Sequence, residues 1–144
     1  MTTEKRRWVV LAAAAAALSG CGGSPEPAAA AEWQEPARYT YELKSSCGER
    51  ALIGHFRITV EQGKVTAAEG LDESGRWFVE DARSEPAPTL GQLLDQANRA
   101  REQGADVAEV TTDPADGHPT EINIDPQANA IDDESCYTIT GYTF

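Results

Sequence analysis

Between Tyr39 and Lys44 apolar and polar residues alternate, with Tyr39, Tyr41 and Leu43 on one side and Thr40, Glu42 and Lys44 on the other. A period of two marks a strand with one face buried. After Cys47-Gly48 and a polar loop, Phe56, Ile58 and Val60 point one way while His55, Arg57 and Thr59 point the other. Gln62-Gly63 supplies a turn and Lys64 to Glu69 a shorter strand, so the pattern predicts a hairpin over about 55–70. Leu71 to Ser84 has no clean period. Trp77-Phe78-Val79 suits a short strand, and Asp72 to Gly75 before it reads as loop.

The period then changes. Leu90, Leu93, Leu94, Ala97 and Ala100 form one apolar stripe at helical spacing. Thr89 is a good N-cap, Gln92 completes a capping box, Pro86 and Pro88 block an earlier start, and Gly104 stands where a C-terminal cap belongs. Val107 to Thr112 and Thr120 to Asp125 read as strands around the turn Asp113 to Gly117, and a last strand covers about 136–143. The elements predict an α+β domain: a small antiparallel sheet of about five strands with one helix packed on one face.

The N-terminus follows a different logic. Lys5, Arg6 and Arg7 precede an apolar, alanine-rich run of 11 residues from Trp8 to Leu18, and Leu18-Ser19-Gly20-Cys21 closes it. At about 1.5 Å per residue the run is too short to span a hydrocarbon core, so it reads as an export signal. The arrangement resembles the lipobox of bacterial lipoproteins. That resemblance implies cleavage after Gly20, a diacylglyceryl lipid on Cys21, and a place at the extracytoplasmic face of the cell membrane. Residues 1–20 are then the signal, 21–37 the lipidated cysteine with a Pro/Ala-rich tether, and 38–144 a single domain.

Export changes the composition. Losing Lys5, Arg6, Arg7 and Glu4 takes the formal charge from −12 to about −14. Such a surface argues against nucleic acid and favours cationic partners. Of three cysteines, Cys21 goes to lipid, which leaves Cys47 and Cys136 as a disulfide pair in an oxidising compartment.

Pieces of the exported domain match a family in order and spacing over about 39–139. They are Tyr39-Thr40-Tyr41-Glu42-Leu43 with Ser46-Cys47-Gly48, then Val60 to Val65, then Pro88-Thr89-Leu90. Gly117-His118-Pro119-Thr120 follows, leading to Ile122-Asn123-Ile124-Asp125, and Asp132-Asp133-Glu134 stands before Tyr137. Together they resemble a family of small actinobacterial lipoproteins classed only as a domain of unknown function. The family has no established catalytic residues, so the resemblance transfers none. In element order alone the chain also resembles helix-on-sheet modules of the PepSY and β-lactamase-inhibitor kind, which bind proteins.

Candidate chemistry is sparse. Nucleophilic catalysis needs a base, and of the two histidines His55 on a polar strand face reads as solvated and His118 in a turn as loop packing. G-x-S-x-G, H-E-x-x-H and a glycine-rich phosphate loop are all absent from the sequence, so no enzyme and no cofactor beyond the lipid is expected. Asp113, Asp116, Asp125, Asp132, Asp133 and Glu134 cluster in two turns and are candidate calcium ligands, although their spacing does not fit an EF-hand. Trp33, Trp77 and Phe78 lie in segments without a clear core face, and Trp77 with Phe78 is the candidate partner-binding pair. The competing reading packs each ring beneath a loop or over the sheet edge. The expectation is a lipid-anchored binding or envelope-interaction module, with a calcium or small-cation binder as its alternative.

Overall fold

The computed structural model describes residues 32–81 and 85–144. The leader, Cys21 and the tether up to residue 31 lie outside the described residues, as do residues 82–84. The elements run β1 (Arg38–Ser46), β2 (Gly54–Glu61), β3 (Lys64–Gly70), α1 (Glu73–Glu80), α2 (Leu90–Glu102), β4 (Val107–Thr112), β5 (Pro119–Asp125) and β6 (Ser135–Thr143). The strands form one antiparallel sheet in the order β3-β2-β1-β6-β5-β4. Two three-stranded meanders therefore lie side by side, joined by β1 and β6.

Alternation decides which face is covered. Tyr39, Tyr41 and Leu43 of β1 and Phe56, Ile58 and Val60 of β2 are buried on the same side. Ile122, Ile124, Tyr137 and Ile139 continue that face across β5 and β6, and Leu90, Leu93 and Ala97 of α2 close it. The capping box is formed as the sequence predicts, with Thr89 Oγ1 accepting from the Gln92 N–H and Gln92 Oε1 accepting from the Thr89 N–H. The opposite face stays open. There Glu42 pairs with Arg57 at 2.9 Å and Arg57 with Glu69 at 3.1 Å, both exposed enough for water to screen them. Among the described residues no helix is long and apolar enough to cross a membrane.

The expectation of about five strands and one helix is corrected on both counts: the sheet has six strands and the described residues hold two helices. The shorter strand read over Lys64 to Glu69 extends to Gly70 and pairs with β2 from Glu61↔Lys64 to Phe56↔Gly70. The second helix occupies the stretch read as loop and short strand. Trp77-Phe78-Val79 has strand propensity and Gly75 weakens a helix, so local preference points the wrong way. Eight residues are also too few for a helix to hold alone.

Tertiary contact holds it instead. Asp72 caps α1 by accepting from the Gly75 N–H at 2.7 Å, and the Leu71 N–H donates to the His55 carbonyl at 2.7 Å. Gly54 and Gly70 each lie against the backbone of Gly75. A Cβ on Gly75 would lie 2.5 Å from the His55 carbonyl oxygen and 3.1 Å from Gly70 Cα. Close approach of backbone to backbone fixes α1 on the β2–β3 edge, and only glycine permits it.

At the same end of the sheet, Cys47 and Cys136 form the disulfide that the cysteine count predicts, with Cα atoms 5.7 Å apart and a sequence separation of 89. Two outcomes follow for stability. Gly75→Ala costs about 1–3 kcal/mol in denaturant unfolding, because backbone rather than a side-chain tip must move, while Ser74→Ala beside it stays within about 0.5 kcal/mol. Replacing both Cys47 and Cys136 by alanine lowers stability by about 4 kcal/mol, the entropy of so long a loop.

Candidate functional site

The arrangement of α1 decides the site. Phe78 turns inward and meets Phe56 edge-on with ring centroids 5.4 Å apart. Trp77, one position earlier, is 72% exposed. Of the two residues singled out for partner binding, one anchors the helix and the other faces water. Trp77 stands over an open groove of about 940 Å³ whose apolar floor is Ala51, Ile53 and Phe78. Its polar rim is Glu73, Ser74, Glu80 and Asp81. Asp72, which caps this helix, has its carboxyl held below the ordinary aspartate range, first by the Gly75 N–H and then by that of His55. A depressed carboxyl stabilises the fold above its unfolded pKa and loses that contribution as pH falls through the folded value.

The floor of the groove is a loop, and it is pinned. Arg50 donates from Nη1 to Ser135 Oγ and to Tyr137 Oη, and from Nη2 to the carbonyls of Cys47 and Glu134. Its guanidinium also lies 5.2 Å from the centre of the Tyr137 ring. With the disulfide and the Glu49 N–H donating to the Asp132 carbonyl, this ties residues 47–53 to the start of β6. A second cavity of about 460 Å³ continues past Phe78 toward Leu52, Pro88 and Gln96. Nothing in the sequence pattern marks Arg50; its role appears only when β1 and β6 are neighbours.

The acidic turns separate. Asp113 and Asp116 come together with His118, their ligand atoms lying within 4.8 Å of one another. Asp125, Asp132, Asp133 and Glu134 join no such group among the described residues. Asp125 ends β5 and the other three precede β6, where the Asp132 and Glu134 carbonyls hold the 47–53 loop. In the first turn, Asp113 Oδ1 accepts from the Ala115 N–H at 2.8 Å. Asp116 Oδ1 accepts from the His118 N–H at 3.0 Å and lies 2.5 Å from His118 Nδ1. These bonds hold the Asp116 carboxyl below its ordinary range, the His118 N–H being the largest cause. The His118 ring stacks on Tyr142 at 4.2 Å. Two turn aspartates and a packed histidine account for every one of these contacts.

Trp33 also finds a place. It is half-buried, donates from Nε1 to Tyr142 Oη at 3.2 Å, and meets Tyr39 edge-on at 6.1 Å. Two residues later, Glu35 accepts from Tyr39 Oη at 2.6 Å, and Tyr39 Oη in turn accepts from the Leu90 N–H at 2.9 Å. Burial, then Glu35, push the Tyr39 phenol upward, so it stays a neutral relay. The chain thus enters the domain at the N-terminus of α2, where a carboxylate suits the helix dipole.

The chain belongs to the family of unknown function DUF6174, whose model matches residues 27–144. That agrees with the resemblance to a domain of unknown function. No match emerges among curated proteins or among solved structures.

Thermal melts check the acidic turn. Calcium, zinc and EDTA each leave the melting temperature within about 1 °C, since an ion raises stability only if it binds the folded state. A saturable rise of several degrees that Asp116→Asn abolishes would establish a cation site instead.

Proposed function

We propose that the chain is a lipid-anchored, extracytoplasmic binding module that holds a protein of the cell envelope against α1. Cys21 carries the lipid in this reading, and two acyl chains give stable attachment without any amphipathic helix. One observation carries the binding role: a tryptophan 72% exposed on a helix that the fold itself fixes in place. Exposed tryptophans set in rigid surfaces over apolar grooves are typical interface anchors. The pinned 47–53 loop and the glycine contact present the groove in advance, which lowers the ordering cost of binding. Among the described residues the polar sheet face presents no exposed tryptophan, and its ion pairs and threonines suit contact with water.

Site-specific photo-crosslinking in intact cells tests this reading. Benzoyl-phenylalanine in place of Trp77 or Glu80 captures one dominant envelope protein, and the same group in place of Thr138 on the open face captures none. Cys21→Ser releases the chain from the membrane fraction and abolishes the adduct. Equal labelling from both faces, or none from α1, contradicts the reading. Trp77→Ala leaves stability within about 0.5 kcal/mol, as for other exposed positions, and so separates binding from folding.

A further inference from the structure

We infer that the partner segment seated on α1 is cationic, with basic side chains about 10 Å apart flanking an apolar one. The inference rests on the binding role proposed above and names the chemistry of what binds. Glu73 and Ser74 precede Trp77 by four and three residues, and Glu80 and Asp81 follow it by three and four. Side chains three and four apart share a helix face, so α1 presents a stripe of carboxylate, indole and carboxylate. All five line the one groove.

Among the described residues no lysine or arginine lines that groove. Arg76, the one basic residue of α1, falls about 100° round the helix from Trp77. Arg50 beneath the neighbouring cavity directs its four terminal N–H bonds to Ser135, Tyr137 and two carbonyls of the loops it clamps. Glu73 and Glu80 therefore place a carboxylate on either side of an aromatic ring. Tryptophan is the best ring for a guanidinium or ammonium, and flanking carboxylates strengthen its hold. An anionic lipid surface would be repelled by the same rim.

Spacing narrows the class further. Glu73 and Glu80 are two turns apart, about 10 Å along the axis. An extended segment advances about 3.3 Å per residue, so arginines or lysines three residues apart reach both carboxylates. In a helical partner the matching separation is seven residues. The residue between the cations sits on Ala51, Ile53 and the indole. A groove this open suits a peptide running along it better than an enclosed small molecule.

The test uses the acylated chain in nonionic detergent micelles and two fluorescein-labelled peptides followed by anisotropy. One peptide carries two arginines three residues apart around a leucine; the other carries glutamates in their place. The arginine peptide binds about tenfold more tightly or better, and Trp77→Ala lowers its affinity about tenfold. Glu73→Gln with Glu80→Gln weakens it several-fold and flattens its dependence on salt. Melting curves verify that each variant is folded. Equal binding of the two peptides, no binding of either, or indifference to Trp77→Ala overturns the inference. The in-cell crosslinks separate the two levels. An adduct from Trp77 to an acidic or neutral segment, to lipid or to a second copy of the chain also overturns the cationic partner. Loss of every adduct at α1 removes the binding role itself.

Discussion

The antiparallel pairing of β1 with β6 is the contact on which the rest depends. Each meander alone is a three-stranded sheet with an edge at either side, and neither encloses a core by itself. Joined at β1 and β6, their apolar faces become one surface, broad enough for α2 to cover. The seam is defended along its length. At one end the Cys47–Cys136 disulfide and the Arg50 clamp close it. At the other, Tyr142 and Trp33 pack over Tyr39, and Tyr39 reaches the first turn of α2. A bulge between Thr40 and Glu42, opposite the positive-φ Gly141, lets Tyr142 turn toward the core.

The groove is a by-product of that defence. Residues 47–53 form its floor because the disulfide and Arg50 hold them down, and α1 forms its wall because Gly54, Gly70 and Gly75 let backbones touch. Neither element is stable from its own sequence. Both are placed by contacts distant in the chain, and together they keep an indole in water. The proposed binding role follows from this cost: an exposed tryptophan contributes nothing to the core, and Phe78 beside it already does the packing.

Strand positions were legible wherever one face is buried. Tyr39 to Lys44 and His55 to Val60 alternate without exception, and the structure buries the expected side. Helix α2 was equally plain, because a capping box and an apolar stripe agree. The Gln62-Gly63 turn was also visible, with positive φ at both residues. α1 was not legible. Its stretch carries strand-prone Trp77-Phe78-Val79 after a glycine, and the reason it is helical lies in Gly54 and Gly70, elsewhere in the sequence. With the helix misread, the face shared by Glu73, Trp77 and Glu80 was invisible, since a strand would scatter those residues. The acidic turns show the opposite: their aspartates were easy to see, but only the fold tells that Asp113 and Asp116 serve a turn with His118 while Asp133 lies in another.

Hydrogen exchange by mass spectrometry, comparing the full chain in native membrane vesicles with the same chain purified in micelles, tests the central claim most directly. If α1 is the docking face, amides of residues 73–80 and 51–53 gain protection in the vesicles while those of the open sheet face exchange equally in both. Unchanged exchange across α1, or protection confined to the open face, contradicts it.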